Sequence, residues 1–247
     1  MKYSVEDTTL TAVADKLREK TGSVESIAPE EMPGKVDEVF KAGGKSERER
    51  FWDEYQDYGK RTNYELSFAG SGWTDEIFSA RKYDIPSEIG NAYMMFRNSK
   101  ITDLKDFNLI ADTIQYSFQN VNMTEIGIVR GKTIAYGCFF GCNRLKTIAG
   151  FGVPAQSSGD IVFGLAFNTC VALENLSIVD PIAANGLDIH WSTNLTHESL
   201  MSVIDALADY SIDTSGTEWK VTLGETNLAK LSEEEIGIAE AKGWVLA

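Results

Sequence analysis

The 247-residue chain is short of histidine, cysteine, positive charge and long apolar runs, and each shortage closes off a class of function. Its two histidines are His190 and His197. General-base, triad and metal-hydrolase chemistry each lean on histidine, so catalysis is disfavoured and carboxylate pairs are its main remaining route. Cys138, Cys142 and Cys170 cannot complete a disulfide framework, and Cys138-x-x-x-Cys142 lacks two companion ligands at zinc spacing. They read as reduced, buried thiols, with no metal and no cofactor implied. Lys and Arg number 23 against 37 Asp and Glu, a net charge of −14 that repels phosphate backbones and anionic lipid. Nucleic acid is therefore not an expected partner, although residues 61–195 carry only −3 of that total and residues 196–247 carry −7. No apolar run approaches the roughly 20 residues that span a bilayer. The first twenty residues are patterned as a helix rather than a signal-peptide core. The chain reads as soluble, made in a cytoplasm and not inserted in a membrane. It has no heptad run long enough for a coiled-coil trimer.

What is present is 43% apolar residues, enough to bury a sizeable core. Leu10, Val13, Ala14 and Leu17 fall on one helical stripe, and Gly22 supplies a stop. Pro29 opens a second helix carrying Met32, Val36, Val39 and Phe40, which Gly43 and Gly44 break. Two short amphipathic helices bury their stripes against each other or a partner, so residues 1–42 read as a helical hairpin. After this joint, Ser46 and Glu49 form a capping-box pair for a third helix to about Tyr58, with an aromatic stripe of Phe51, Trp52, Tyr55 and Tyr58. Such a stripe is most often an internal packing face.

Between Asn91 and Leu176 the sequence repeats itself. Phe96-Arg97-Asn98-Ser99-Lys100-Ile101-Thr102-Asp103-Leu104 lines up with Phe118-Gln119-Asn120-Val121-Asn122-Met123-Thr124-Glu125-Ile126. Two further copies, each longer by one residue, are Phe139-x-x-Cys142-x-x-Leu145-x-x-Ile148 and Phe167-x-x-Cys170-x-x-Leu173-x-x-Leu176. The phenylalanines are 22, 21 and 28 residues apart, the last interval stretched by a Gly-rich insert around Gly150 to Gly159. A unit of about 22 residues predicts one turn of a solenoid: a short strand, a turn and a closing segment. Phe96, Phe118, Phe139, Cys142, Leu145, Phe167, Cys170 and Leu173 are then its core, the cysteines filling tight inner positions.

The last fifty residues are patterned as a cap. Thr196 is an N-cap before a helix with Leu200, Val203, Ile204 and Leu207, Trp219 to Leu223 alternates as a strand, and Ser232-Glu233-Glu234-Glu235 opens a helix that stops at Gly243.

The Phe-x-x-Cys-x-x-Leu pattern resembles the BspA-like leucine-rich repeats of bacterial surface antigens, with Ala166 to Leu173 as its fullest match and Ser99 and Val121 departing from it. The chain as a whole resembles the leucine-rich-repeat tail, baseplate or minor structural proteins of bacteriophages and prophages of Gram-positive gut bacteria. The resemblance rests on Thr9 to Gly22 with Ile27 to Pro33, on Phe51 to Tyr64 with Phe68 to Thr74, and on Leu195 to Leu200 with Leu223 to Leu231 and Lys242 to Ala247. It implies an α+β fold: a helical hairpin at 1–42, a joint and aromatic helix at 43–63, a short irregular leucine-rich-repeat solenoid at 64–195, and an α/β capping region at 196–247. It also implies a non-enzymatic virion protein that docks through Leu10, Val13, Leu17, Met32, Val36 and Phe40 on other virion proteins, present in several copies or as a homo-oligomer. Its repeat surface would recognise proteins or a host cell-surface molecule. Alternatives are a capsid decoration or head-fibre protein, or a free carbohydrate-binding adhesin using Trp73 or Trp191. A carboxylate glycosidase has Asp160, Glu174 and Asp188 available, but no spacing marks a pair among them. The acidic clusters Asp209/Asp213 and Glu233 to Glu235 match no EF-hand loop.

Overall fold

The computed structural model describes residues 63–70, 74, 75, 78, 85, 86, 88–157, 159 and 161–247. The expected hairpin, the aromatic helix and the docking residues Leu10, Val13, Leu17, Met32, Val36 and Phe40 lie outside them.

Five strands, β1 (Glu88–Asn91), β2 (Leu109–Thr113), β3 (Glu125–Ile134), β4 (Thr147–Gly152) and β5 (Asn175–Ile178), form one parallel sheet in chain order. Their inward residues align in rows: Leu109, Val129 and Phe151 are in register, as are Ile126, Ile148 and Leu176, and all six are buried. The inward residues are three apart on β3 (Ile126, Val129) and on β4 (Ile148, Phe151), so the alternation of faces is broken once in each, with Ile128 and Ala149 exposed between them.

Behind the sheet, Phe68, Phe96, Phe118, Phe139 and Phe167 stack ring on ring, with centroids 5.0, 5.2, 5.5 and 5.7 Å apart. Phe78 and Phe107 meet Phe96 edge-on, and Phe151 meets Phe167 in the same way. Burying each ring contributes about 2–3 kcal/mol. Each phenylalanine sits in a turn whose alternate N–H groups donate to the next unit. Met94, Phe96 and Asn98 donate to Gln115, Ser117 and Gln119; Tyr116, Phe118 and Asn120 donate to Tyr136, Cys138 and Phe140. The residues two before and two after each phenylalanine are left-handed: Leu66, Met94, Tyr116, Gly137 and Leu165 on one side, Gly70, Asn98, Asn120, Gly141 and Thr169 on the other. The turn is thus built five times over.

The sheet ends against a helix, α1 (His197–Ala206), capped by Thr196, whose side chain accepts from the Ser199 N–H. The edge N–H groups of Leu176 and Ile178 on β5 donate to the hydroxyls of Ser199 and Ser202 at 2.9 and 2.8 Å. Two helical serines satisfy an edge that would otherwise be open to pairing. Beyond it lie β6 (Trp219–Val221), α2 (Glu225–Leu228), α3 (Glu233–Ala241) and β7 (Trp244–Leu246), with β6 and β7 a parallel pair. Ser232 and Glu235 close the capping box of α3, and Lys242 Nζ donates to the Ile204 and Asp205 carbonyls at the end of α1.

This corrects the expected fold class. The described chain is a globular α/β arrangement of one five-stranded parallel sheet, a two-stranded sheet and three helices, not a curved leucine-rich-repeat solenoid with a cap. The physical reason lies in what a spacing encodes. A recurring phenylalanine marks where a strand and its buried partner return, but it does not impose the equal units and constant register that bend a stack into a coil. Here strands run from 4 to 10 residues, and pairing slips between Ala111 and Thr113 and between Ile148 and Phe151.

Candidate functional site

The eight residues read as the repeat core, Phe96, Phe118, Phe139, Cys142, Leu145, Phe167, Cys170 and Leu173, are each 0% exposed and so cannot touch a ligand. The thiols are free; Cys142 and Cys170 donate to the Phe118 and Phe139 carbonyls at 2.9 and 3.2 Å. Burial pushes the Cys142 thiol up to about 12, against a smaller opposing effect of a backbone hydrogen bond at Val121. Such thiols pack and do not react. No group of three or more His, Cys, Asp or Glu side chains converges as a metal site among the described residues.

The acids singled out from sequence are dispersed. Glu174 pairs with Lys146 at 3.0 Å, Asp188 pairs with His190, and Asp160 lies outside the described residues, as does Trp73. Asp209 accepts from the Ser211 hydroxyl and N–H, and Asp213 from the Trp219 indole at 2.6 Å and from Ser215. Those hydrogen bonds hold both carboxyls below the usual carboxylate range. Their oxygens are engaged within their own turns.

The turn side of the sheet carries a different feature. Tyr93, Tyr116 and Tyr136 are half-buried and meet edge to face, with centroids 6.4 and 5.6 Å apart. The left-handed turn aims Tyr116 outward, and Gly137 makes room for it: φ there is +60°, and a Cβ would stand 2.3 Å from Tyr116 Cε1. Burial, then the neighbouring Tyr136 and Tyr93, raise the Tyr116 phenol above its ordinary value. Met94, Arg97, Gln119 and Phe140 flank the row, all half-buried, and Leu165 is 40% exposed. Arg97 Nη1 lies 3.3 Å from Met94 Sδ, while Arg97 Nε and Gln119 Oε1 are buried without a hydrogen-bond partner.

The row runs into a pocket of about 450 Å³ walled by Tyr136, Leu165, Asn185, Asp188, Glu218 and Lys220. Asn185 fixes the far wall, donating to the Glu218 carbonyl at 3.0 Å and accepting from the Lys220 N–H at 2.8 Å. Asp188 Oδ1 accepts from the His190 N–H at 3.1 Å and lies 2.5 Å from His190 Nδ1, whose ring rests on Trp191 at 4.8 Å. Two larger hollows, one between β5 and α1 and one beside Tyr210 and Trp219, are more open.

No family model, curated protein or solved structure matches this chain. The expected membership among phage tail, baseplate or minor structural proteins is overturned by that result together with the parallel sheet. The virion, capsid-decoration, host-recognition and adhesin readings built on it fall with it. No helix among the described residues is long and apolar enough to cross a membrane.

Sequence reasoning missed the tyrosine row because its members occupy two registers. Tyr93 and Tyr136 stand three residues before the stacked phenylalanine, and Tyr116 stands two before. The available signal was an absence: residues 92–97, 114–119, 135–140 and 163–168 hold four tyrosine or phenylalanine side chains besides the stacked ring, together with Tyr93, and not one acid in a chain of net charge −14.

Proposed function

We propose that the described part of the chain is a non-catalytic module that recognises an extended peptide along the tyrosine row. The observation that carries this reading is the row itself: three half-exposed tyrosines on hydrogen-bonded turns, flanked by Arg97 and Met94 and free of acids. Tyrosine and arginine are the residues on which binding energy concentrates, tyrosine because it offers large contact area at low ordering cost and arginine because its planar fork carries five donors. A row held on a repeated backbone turn is preorganised, which reduces what binding must spend on ordering.

The Asp188–His190 pair supports a second reading, general-base chemistry at the pocket, since a carboxylate beside an imidazole orients it for proton transfer. Asp188 also accepts the N–H of His190, the local turn pattern by which Asp organises its own backbone, and this favours a structural role.

The test is an array of overlapping peptides probed with the full chain and with Tyr93→Ser and Tyr116→Ser variants of unchanged melting midpoint. A set of peptides bound by the parent and lost by both variants is the expected outcome. Binding that survives both substitutions, or an array with no bound peptide, removes the reading.

A further inference from the structure

We infer that the tyrosine row and the pocket at its end form one groove for a basic, proline-bearing peptide in the polyproline II conformation, with a Lys or Arg side chain entering the pocket. This rests on the peptide-recognition reading above and specifies its ligand.

Three observations converge on it. The first is the shape of the row. Edge-to-face tyrosines leave clefts between rings, and proline rings are flat, apolar and already ordered, so they fill such clefts at little entropic cost. From Tyr93 to Tyr136 the ring centres span at most about 12 Å, roughly four residues at 3.1 Å each.

The second is continuity. Tyr136 belongs both to the row and to the pocket wall, and Leu165 carries the apolar floor to the same wall. A chain lying on the tyrosines therefore reaches the pocket without crossing a ridge of another chemistry.

The third is charge. Asp188, whose Oδ1 also holds His190, and Glu218 line the pocket together with Lys220, an excess of one carboxylate, at the end of a strip that holds no acid of its own. Residues 196–247, which supply the Glu218 wall of the pocket, carry −7, a local excess that attracts a basic partner over the range of a Debye length and repels an acidic one. The stem of a Lys or Arg side chain would lie on Tyr136 and Leu165 while its head reaches the carboxylates, the division of apolar stem and charged head that these side chains favour.

The test uses three synthetic probes with the full chain: Ac-Arg-Pro-Pro-Pro-Pro-Arg-NH2, the same peptide with Gln at both ends, and Ac-Arg-Gly-Ser-Gly-Ser-Arg-NH2. Binding is read by calorimetry at 50 and 300 mM salt. The Arg/Pro probe should bind at least about 10-fold more tightly than the Gln/Pro probe at low salt, and this ratio should shrink at high salt. The Gly/Ser probe should bind more weakly than the Arg/Pro probe at both. Glu218→Gln and Asp188→Asn should each lower the Arg/Pro affinity and leave the Gln/Pro affinity unchanged, whereas Tyr116→Ser should lower both. Equal binding of the Arg and Gln probes overturns the cationic pocket, and equal binding of the Pro and Gly/Ser probes overturns the polyproline groove. If none of the three probes binds while array peptides do, the ligand class is wrong and the recognition reading stands. If no peptide of any kind binds, both fail.

Discussion

The two outer faces of the same stack of units differ in chemistry. On the sheet side ion pairs predominate, broken by exposed Ile128 and Val179 over Gly150: Lys132 bridges Glu88 and Asp112, Lys105 meets Glu125 at 3.1 Å, and Lys146 meets Glu174 at 3.0 Å. Arg130 forms two hydrogen bonds to Asp180 across β4, and Gly152 between them has no side chain to obstruct the pair, since a Cβ there would lie 2.2 Å from Asp180 Oδ2. On the turn side, the same units expose tyrosine, methionine and phenylalanine with Arg97 as the one charged side chain in the flanking positions. Both faces hang on one phenylalanine stack, so stability does not require them to differ. Paired charges keep a surface soluble and contribute little to stability, whereas uncharged aromatics left half-open are the composition of a surface that binds.

The sharpest way to break this comparison is through what the faces share. Phe118→Ala, between Phe96 and Phe139, should cost about 3–5 kcal/mol in denaturant unfolding, because neighbouring rings on both sides cannot collapse into the gap. A loss below about 1 kcal/mol would show that the stack is not the common support. Gly137→Ala comes next. A left-handed alanine costs about 1–2 kcal/mol, and its Cβ would displace Tyr116, so peptide binding should fall while the ion pairs of the sheet side persist. Loss of stability without loss of binding would separate Tyr116 from recognition.

Arg130→Met probes the other face. It leaves the Asp180 carboxylate, 8% exposed, without its partner, at a cost of about 1–2 kcal/mol after allowance for the exposure of Arg130. Binding at the tyrosine row should be unaffected; a change there would show that the faces are coupled. A smaller effect is expected at Asp75, whose carboxyl burial pushes up but hydrogen bonds from Asp103 and Thr102 pull below its ordinary value. A depressed carboxyl contributes stability above its unfolded value and loses it as pH falls through its folded value. Acid titration of stability should therefore show a loss below about pH 4 that Asp75→Asn flattens; identical acid slopes in parent and variant would exclude it. Smallest of all, Lys132→Ala should leave the melting midpoint within error, since both its partners are exposed and remain solvated.

How much of this was legible in the sequence follows from what each position demands. Phenylalanine, cysteine and leucine at fixed intervals could be read because a closed interior admits few side chains, and the helix starts at Thr196 and Ser232 could be read because a cap needs an oxygen at one position. The fifth ring, Phe68, escaped because Glu76 stands eight residues on, where Phe96 and Phe118 are followed by the apolar Leu104 and Ile126. Strand lengths and register slips escaped because they are settled by neighbours across the sheet, and the expected coil failed on those. The pocket escaped as a grouping: Asp188 could be picked out as an acid, but Tyr136, Asp188 and Glu218 are far apart in the chain and meet only where β6 lies beside the last unit.

The serines of α1 have a consequence for how copies of the chain meet one another. Ser199 and Ser202 take the N–H groups of Leu176 and Ile178, so the stack stops at β5 whatever lies upstream. With those two N–H groups taken inside the molecule, the sheet has a finite width, and a second copy of the chain meets a helix there instead of a ladder to extend.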